Sequence, residues 1–511
     1  MSQRDNEMMN IESRGNYIDG VWEVPANRDG EFLRENPADT DEIVFRIPFA
    51  EEPVDRAVEA ARRAQRDWDR RGVESRLEYL QRFREALAER GEELAQAISR
   101  EMGKPIWEAR GEAGALVKKI DIMIGEGLEV TAPVHPDGLK GGFWRYRPLG
   151  VLAVLGPFNF PLHLPNGHII PALATGNTVV VKPSENTPGS MQLYFECLEE
   201  ADFPAGVVNL VQGPGVVGAR LSAHRDVRGV LFTGGYATGQ RIKEATLDQP
   251  GKLLALELGG KNTSVVCEDA DLDQAAHEII QAACMTTGQR CSATSRVVAQ
   301  REVADELIDR LKGLMERVTW GDPFDESEPL MGPLATKAGF DGFCRAQGDD
   351  EGGKLSPILQ GGADSERQGG YFVRPALWLA NEVDRRGSHQ AEEIFGPDVV
   401  VYRVDDDARA AQVANATDYG LAMSVFTADE ERFERFGYEL ETGILNMNRS
   451  TAGASSRLPF GGVKKSGNYR PAAILAGLYC TYPMASLKVE AGFDAKSVDS
   501  GPLSRLKDER D

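Results

Sequence analysis

Short runs of apolar residues mark the middle of the chain and predict buried β-strands. Four such runs occupy residues 151–155, 179–181, 207–211 and 230–232, and a glycine or proline follows each one closely. Segments long enough for helices lie between them. Valine-rich runs that alternate with helices are typical of a parallel sheet covered on both faces. The pattern therefore predicts an α/β domain, with ligands expected at the carboxyl ends of its strands.

Helical periodicity precedes this region. Residues 54–68 repeat apolar positions at helical spacing after Pro53, a residue that the first turn of a helix tolerates. Residues 80–98 repeat the pattern with arginine and glutamate at the other positions, which indicates one buried and one solvated face. A second α/β region at 258–456 contains a further apolar run at 399–401.

Charge and composition exclude several classes of partner. The 511 residues include 58 Lys and Arg and 80 Asp and Glu, which gives a net charge of −22. Binding to nucleic acid or to anionic membrane surfaces depends on clustered cations, so neither partner is expected. The six cysteines form no CxxC pair and the six histidines form no HExxH motif, so no metal site is expected.

The sequence contains no recognisable targeting segment. Its first 16 residues lack the apolar core of a signal peptide, and no apolar run approaches the roughly 18 residues of a membrane span. We therefore expect a cytoplasmic protein. The polar ends at 1–16 and 491–511 are expected to be flexible.

Two glycine-framed turns are candidates for binding a nucleotide. Residues 213–218 fit the GxGxxG pattern after a predicted strand, and residues 234–239 form a second turn between a strand and a helix. Such turns let a phosphate approach the N-terminus of a helix. In a chain with 54 glycines, a plain turn is an equally good interpretation of the first match. The pair of turns favours a nucleotide site without identifying it.

Cys291 is the candidate nucleophile. It lies in the segment GQRCS at 288–292, where free backbone N–H groups and a neighbouring arginine can lower the pKa of a thiol. A small buried apolar residue is the alternative interpretation. Glu257 begins the segment ELGGK at 257–261 and is the candidate carboxylate for acid–base chemistry, with a turn-forming role as its alternative.

Seven short motifs together point to one family. They are PFNFP (157–161), KPSE (182–185), FTGG (232–235), ELGGK (257–261), GQRC (288–291), EIFGP (393–397) and PFGG (459–462). In this order and spacing, over roughly residues 17–490, the chain resembles the NAD(P)-dependent aldehyde dehydrogenase superfamily. The resemblance implies an enzyme that oxidises an aldehyde.

The resemblance also implies an α/β fold with three parts. These are a Rossmann-type parallel-sheet cofactor domain (17–138 and 148–257), an α/β catalytic domain (258–456) and a small β oligomerisation arm (139–147 and 470–490). Members of the superfamily use this arm to pair, so the resemblance implies a homodimer or a homotetramer.

Three residues take catalytic roles by this resemblance. Cys291 attacks the aldehyde carbon, and the Asn159 amide donates to the developing oxyanion together with the backbone N–H of Cys291. Removing one such donor costs about 3 kcal/mol. A hydride then passes to the nicotinamide, and Glu257 activates the water that hydrolyses the thioester.

The cofactor residues follow from the same motifs. Lys182 and Glu185 match the positions that hold the adenosine ribose, and a carboxylate there repels a 2′-phosphate, so NAD is expected in preference to NADP. The turn at 234–239 matches the pyrophosphate site, which leaves the turn at 213–218 near the adenine. The residues expected to bind the cofactor are Lys182, Glu185, Gly215, Thr233, Gly234, Gly235, Gly239, Glu393 and Phe395.

Other segments resemble one branch of the superfamily. HLPNGHI at 163–169, the stretch 446–468 and YPMASL at 482–487 are similar to the branch that oxidises N-succinylglutamate 5-semialdehyde in arginine catabolism. That substrate carries two carboxylates, for which Arg449 and Arg457 are the candidate partners, with solubilising surface charge as their alternative.

Several alternatives to this function stay open from the sequence. They are an aldehyde dehydrogenase for a different small aldehyde, a CoA-acylating aldehyde dehydrogenase and, least favoured, a non-catalytic relative. The catalytic carboxylate at Glu257 argues against the CoA-acylating enzyme, which does not need a water-activating base. His163 and His168 are expected to pack and cap, without a catalytic role.

Overall fold

The computed structural model of the protein describes residues 11–489. Its helices are α1 (Pro53–Arg70), α2 (Gly72–Glu89), α3 (Gly91–Met102), α4 (Ile106–Ile122), α5 (His163–Ala174), α6 (Pro188–Glu200), α7 (Gly215–Ala223), α8 (Tyr236–Ala245), α9 (Leu272–Cys284), α10 (Arg301–Met315), α11 (Lys337–Ala346), α12 (Ser388–Ala391), α13 (Asp407–Ala414), α14 (Glu430–Glu439) and α15 (Ala476–Tyr479). A π-helical turn (Met123–Gly127) and two 3₁₀ turns (Glu129–Thr131 and Met285–Gly288) add to these.

The strands, again in chain order, are β1 (Asn16–Ile18), β2 (Val21–Glu23), β3 (Gly30–Asn36), β4 (Asp39–Phe49), β5 (Gly142–Pro148), β6 (Val151–Leu155), β7 (Thr178–Lys182), β8 (Val208–Leu210), β9 (Gly229–Thr233), β10 (Leu253–Glu257), β11 (Asn262–Val266), β12 (Thr294–Gln300), β13 (Leu355–Leu359), β14 (Gly362–Ala363), β15 (Val373–Arg374), β16 (Ala376–Ala380), β17 (Asp398–Val404), β18 (Tyr419–Gly420), β19 (Ala422–Phe426), β20 (Ile444–Met447), β21 (Pro459–Phe460), β22 (Val463–Lys464), β23 (Ala472–Ala473) and β24 (Thr481–Leu487).

The first large sheet has the strand order β10-β9-β6-β7-β8-β1-β2. Its first five strands are parallel, and β1 joins β8 in the antiparallel direction. The four apolar runs predicted as strands form β6, β7, β8 and β9. Along β6, Leu152 and Val154 pack into one apolar cluster while Val151 and Ala153 pack into another. Both faces of this sheet are therefore buried, as the uninterrupted runs predicted.

The second large sheet has the order β13-β16-β17-β12-β11-β19-β20. Only its edge strand β13 is antiparallel to its neighbour. The predicted run at 399–401 lies inside β17. The chain passes from the first sheet to the second between Glu257 and Asn262, so the ELGGK motif spans the junction between them.

The helical stretch predicted at 80–98 is two helices in the structure. Arg90 separates α2 from α3 with a non-helical backbone (φ −98°, ψ 15°). Its guanidinium contacts Glu93 at 2.6 Å and Glu196 at 2.8 Å. These contacts fix the break, and periodicity alone could not show it because the apolar face continues across it.

The predicted oligomerisation arm, 139–147 and 470–490, stays a prediction, as do the other domain boundaries. The strand β5 pairs with β24 in an antiparallel ribbon of residues 142–148 and 481–487. Within the second predicted segment, Ala472 and Ala473 form β23, which pairs with β21 beside the candidate site described below.

The predicted flexible ends fall mostly on residues 1–10 and 490–511, which lie outside the described residues. Asn16 is an exception, because it begins β1, is buried, and accepts a hydrogen bond from the Gln212 backbone N–H at 2.8 Å. Within residues 11–489, no helix is both long and apolar enough to cross a membrane. The same residues contain no group of three or more His, Cys, Asp or Glu arranged to hold a metal ion.

Candidate active site

Two cavities meet at Cys291. The larger cavity, about 600 Å³, lies at the carboxyl ends of β6, β7, β9 and β10. The smaller cavity, about 210 Å³, lies between α4, α5 and residues 452–473. Thr233, Glu257 and Cys291 line both cavities. A molecule in either cavity therefore reaches the same thiol.

The larger cavity brings together eight of the nine residues that the sequence predicted for the cofactor. Those lining it are Lys182, Glu185, Gly215, Thr233, Gly234, Gly235, Glu393 and Phe395. Gly239 does not line the cavity: a Cβ there would lie 2.8 Å from Leu258 Cδ2, so the glycine lets α8 pack closely against the Leu258 side chain. The predicted contact between Gly239 and the cofactor stays a prediction.

Two helices begin at the larger cavity. Helix α7 starts at Gly215 and α8 at Tyr236, and no described side chain caps either N-terminus. The first N–H groups of a helix have no partner within it, and the helix dipole adds positive potential there. Both ends are therefore suited to the phosphates of a dinucleotide.

An ion pair lies at one end of the larger cavity. Lys182 Nζ and Glu185 Oε2 are 2.9 Å apart. Burial lowers the pKa of Lys182, and the Glu185 carboxylate only partly offsets this effect. For Glu185, burial acts to raise the pKa, but the charge and hydrogen bond of Lys182 leave it lowered. A carboxylate is therefore present at this end of the cavity at neutral pH.

Glu393 lies at the other end, packed against the ELGGK turn. Its Oε1 accepts a hydrogen bond from the Gly260 N–H at 2.9 Å. A Cβ on Gly259 would lie only 1.9 Å from Oε2, so the turn requires glycine here. Burial raises the pKa of Glu393 to about 7. The neighbouring Phe395 ring meets Phe158 edge to face, with 5.8 Å between ring centroids.

The loop that carries Cys291 has an unusual backbone. Thr286 and Thr287 both adopt positive φ angles of 56° and 54°. The Thr286 N–H donates to Glu108 Oε2 at 2.9 Å, and Arg290 pairs with the same carboxylate at 2.7 Å. Left-handed backbone at non-glycine residues costs free energy and persists only where the surroundings hold it. Glu108 provides that restraint from α4.

Asn262 holds the nucleophile residue itself. Its Nδ2 donates to the Cys291 carbonyl at 2.8 Å and to the Ala293 carbonyl at 2.9 Å, while its Oδ1 accepts from the Ala422 N–H at 3.0 Å. Sequence reasoning missed Asn262 and Glu108. Asn262 directly follows the ELGGK motif, so its position in the sequence was available as a clue, whereas Glu108 had none.

Asn159 reaches the Cys291 loop from the end of β6. Its Nδ2 donates to the Gln289 carbonyl at 2.9 Å, and the side chain is buried. An amide nitrogen carries two hydrogens, so one remains for a further acceptor in the larger cavity, which Asn159 also lines. The position fits an oxyanion donor.

Cys291 and Glu257 both have pKa values shifted upward. Burial raises the pKa of the Cys291 thiol to about 12, and the carboxylates of Glu393 and Glu257 act in the same direction. Burial also raises the pKa of Glu257 well above its ordinary value. Its Oε2 has no hydrogen-bond partner among the described residues. The Cys291 thiol is therefore protonated at neutral pH, whereas the sequence suggested a lowered thiol pKa, and the raised pKa of Glu257 favours its neutral form.

The smaller cavity contains polar groups that the sequence did not identify as a site. Lys119 and Arg290 line it together with His163 and His168. Burial lowers the pKa of His168 to about 3 and that of His163 well below its ordinary value, so both rings are neutral. His168 Nδ1 is 2.8 Å from Tyr479 Oη, and its Nε2 is 3.2 Å from Thr233 Oγ1. These contacts agree with the packing role expected for His168.

The two arginines predicted to bind substrate do not line either cavity. Arg457 pairs with Glu126 at 2.7 Å, and its side chain is 71% exposed. Arg449 is exposed on the loop that follows β20. The loop itself does reach the smaller cavity, through Ala452, Ala454, Ser455 and Ser456.

Comparisons with known sequences agree with this geometry. The chain matches the aldehyde dehydrogenase family over residues 24–480. An N-succinylglutamate 5-semialdehyde dehydrogenase from Vibrio cholerae is 40% identical over 478 residues, which cover 92% of this chain and 96% of the relative. A protein of the same name from Novosphingobium aromaticivorans is 41% identical over 444 residues, or 86% of this chain and 92% of the relative.

Solved structures of aldehyde dehydrogenases are similar to this chain in fold. A mutant of aldehyde dehydrogenase C from Pseudomonas syringae, in complex with NAD⁺ and octanal, has a TM-score of 0.87 at 31% identity over 94% of this chain and 97% of its own. Betaine aldehyde dehydrogenase from Staphylococcus aureus, in complex with NAD⁺, has a TM-score of 0.87 at 29% identity over 93% and 94%.

The protein belongs to the aldehyde dehydrogenase family. The α/β fold and the family that the seven motifs predicted are thereby confirmed.

Proposed function

We propose that the protein catalyses the NAD-dependent oxidation of N-succinylglutamate 5-semialdehyde to N-succinylglutamate. The observation that carries the proposal is the position of Cys291. One thiol lies at the junction of two cavities, and Asn159 and Glu257 lie beside it. A nucleophile that two molecules reach from opposite sides is what a transfer between an aldehyde and a cofactor requires.

The chemistry follows from these three side chains. The Cys291 sulfur bonds to the aldehyde carbon as its proton passes to water, and Asn159 stabilises the negative oxygen. Loss of a hydride from this adduct leaves a thioester on Cys291, and bound NAD⁺ supplies the acceptor for that hydride. Glu257 then takes a proton from water as the water attacks the thioester, which releases the carboxylate product and restores the thiol. Because its pKa is raised, Glu257 is a stronger base once ionised than an ordinary carboxylate.

Two features of the larger cavity and two solved relatives support NAD. The uncapped N-termini of α7 and α8 suit its phosphates. The Glu185 carboxylate can accept hydrogen bonds from ribose hydroxyls and repels a 2′-phosphate, which favours NAD over NADP. Solved relatives at 31% and 29% identity contain NAD⁺, which agrees with this assignment.

The substrate is proposed from two independent sources. Relatives that cover 92% and 86% of this chain at 40% and 41% identity carry the name of this enzyme. In addition, the smaller cavity contains cationic side chains, which a substrate with two carboxylates needs in a protein with a net charge of −22.

A panel of aldehydes tests the proposal. We expect NADH absorbance to increase with N-succinylglutamate 5-semialdehyde, with a kcat/KM above those for succinic semialdehyde, pentanal and betaine aldehyde, and with NAD⁺ preferred to NADP⁺. The assay is run with and without CoA. Turnover that depends on CoA, or a higher kcat/KM with a neutral aldehyde, would contradict the proposal.

We also propose that the protein is a cytoplasmic homodimer or homotetramer. The ribbon of β5 and β24 supports pairing, because it is a separate two-stranded sheet with Tyr482 and Leu487 exposed. Light scattering after size-exclusion chromatography tests the assembly. A monomeric mass at micromolar concentration would contradict it.

A further inference from the structure

We infer that Lys119 determines the preference for anionic aldehydes, by binding a carboxylate of the substrate in the smaller cavity. The inference rests on the proposed function, since it assumes that the smaller cavity receives the aldehyde. Lys119 lies in the last turn of α4, and it lines the smaller cavity together with Cys291 and Glu257.

Lys119 has no acidic partner within residues 11–489. Arg290, the other cation that lines this cavity, pairs with Glu108 at 2.7 Å. The nearby Lys104 pairs with Glu112 at 2.6 Å. Among the described residues, no carboxylate lies within 4 Å of Lys119 Nζ, whose hydrogen-bond acceptor is the His163 carbonyl at 2.9 Å. An ammonium has three hydrogens, so further donor capacity remains.

The residue that faces the Lys119 ammonium from α5 is a glycine, which has no side chain to displace it. Gly167 lies on α5 opposite Lys119, and a Cβ added there would lie 2.6 Å from Lys119 Nζ. Any other residue at 167 would therefore displace the ammonium or be displaced by it. Gly167 is in the interior of a helix, where glycine is less favourable than alanine by roughly 1 kcal/mol. Glycine at 167 leaves the Lys119 ammonium free to lie against α5.

Two further polar side chains, those of Ser456 and His163, line the smaller cavity with Lys119. The Nδ1 atom of His163 has no hydrogen-bond partner among the described residues. A buried polar atom without a partner is costly unless a ligand or water satisfies it. A carboxylate held by Lys119 would meet further polar groups here.

The test compares two aldehydes of equal chain length, 5-oxopentanoate and pentanal, which differ only in a terminal carboxylate. We expect Lys119→Gln to raise the KM for 5-oxopentanoate by about tenfold, the loss typical of one hydrogen bond to a charged group. Glutamine removes the charge and keeps a polar side chain at this position. The kcat for 5-oxopentanoate and the KM for pentanal should change by less than about twofold. Lys118→Gln is the matched control, since Lys118 is the exposed neighbour on the same helix and should change neither KM.

A second pair of variants tests the geometry. Gly167→Ala should also raise the KM for 5-oxopentanoate, because the alanine Cβ displaces the Lys119 ammonium. If it acts through Lys119, combining it with Lys119→Gln should add little to the effect of Lys119→Gln alone. Inhibition by N-succinylglutamate gives a direct binding measurement, and its inhibition constant should rise by the same factor in Lys119→Gln.

The outcomes separate this inference from the proposed function. If the enzyme oxidises N-succinylglutamate 5-semialdehyde well and Lys119→Gln leaves both KM values unchanged, or raises them equally, the inference is overturned and the function stands. If the enzyme rejects that substrate but prefers 5-oxopentanoate to pentanal through Lys119, the inference stands and the particular substrate is wrong. If the unmodified enzyme shows no preference for the anionic aldehyde, the inference is overturned.

Discussion

The two cavities that share Cys291 differ in charge and in origin. The larger one is bounded by Glu185, by Glu393 and by glycine-rich turns that follow strands or begin helices. The smaller one is bounded by side chains from α4 and α5, together with loops far apart in the sequence, and it carries the cations Lys119 and Arg290. Recognition in the larger cavity depends mainly on backbone geometry, whereas recognition in the smaller cavity depends on individual side chains.

The largest expected effect comes from removing the Cys291 thiol, which lines both cavities. Cys291→Ser should lower kcat by about 10⁴-fold or more, because the hydroxyl is a much weaker nucleophile and loss of a nucleophile removes most of the catalytic advantage. Steady-state NADH formation with a saturating aldehyde measures this. Cys344→Ser is the matched control, since Cys344 is the other cysteine that is not fully buried, and it should keep full activity. If Cys344→Ser abolished turnover and Cys291→Ser did not, the nucleophile would not lie where the two cavities meet.

Glu257→Gln should separate the two halves of the reaction. We expect a steady-state rate lower by about a hundredfold or more, the range for loss of a general base, with the first burst of NADH preserved because the thioester still forms. In the unmodified enzyme, the steady-state rate should rise with pH, because the raised pKa keeps Glu257 protonated at lower pH. Stopped-flow absorbance measures both phases. Loss of the burst together with the steady state would show that Glu257 acts before hydrolysis.

Asn159→Ala tests the oxyanion donor on the shared wall. It should lower kcat by about 10²-fold or more, equivalent to roughly 3 kcal/mol, while binding of NAD⁺ stays unchanged. Protein fluorescence quenching gives the affinity for NAD⁺, and NADH formation gives kcat. An equal loss in kcat and in the affinity for NAD⁺ would indicate that Asn159 shapes the larger cavity and does not act on the reacting oxygen.

Glu185→Ser tests whether the carboxylate in the larger cavity makes the enzyme prefer NAD⁺ to NADP⁺. The substitution removes a carboxylate and frees Lys182, whose ammonium can then meet a 2′-phosphate. We expect the ratio of kcat/KM for NAD⁺ over NADP⁺ to fall by about tenfold or more, since like charges brought together in a site cost several kcal/mol. Initial rates at varied cofactor with one aldehyde give the ratio. An unchanged ratio would mean that the carboxylate does not meet the ribose.

The contrast between the cavities also explains what the sequence could predict. The apolar runs of β6, β7 and β9 end beside Asn159, Lys182 and Thr233, so strand prediction located these residues in the larger cavity as well. For Gly239, the motif indicates that a small residue is needed, but not whether a ligand or the Leu258 side chain is the reason.

The smaller cavity was not predictable in the same way. In the sequence, Lys119 is one of two adjacent lysines on an amphipathic helix, and 44 residues separate it from His163, its hydrogen-bond acceptor. Two features suggested Arg449 and Arg457, their charge and their place beside the loop expected at the mouth of the substrate pocket. Neither feature indicates whether a side chain faces a cavity or solvent. Only the packing of α4 against α5 shows which cation remains without an acidic partner.

The smallest expected effect is a pH dependence confined to the smaller cavity. Burial lowers the pKa of Lys119 to about 8, and the Glu112 carboxylate opposes this shift. Below that pH the ammonium is charged and binds the carboxylate, and above it the charge is lost. Burial keeps the neighbouring His163 ring neutral, and Arg290 and Lys104 are paired with the carboxylates of Glu108 and Glu112.

The measurement is the ratio of the KM for 5-oxopentanoate to the KM for pentanal. Titration of Cys291 and Glu257 affects both aldehydes alike and cancels in this ratio. We expect the ratio to rise about fivefold from pH 7 to pH 9, since one proton leaves a site that then binds about tenfold more weakly. Lys119→Gln should abolish the dependence and Lys118→Gln should preserve it. A ratio that stayed constant in the unmodified enzyme would show that the charge of Lys119 does not contribute to binding.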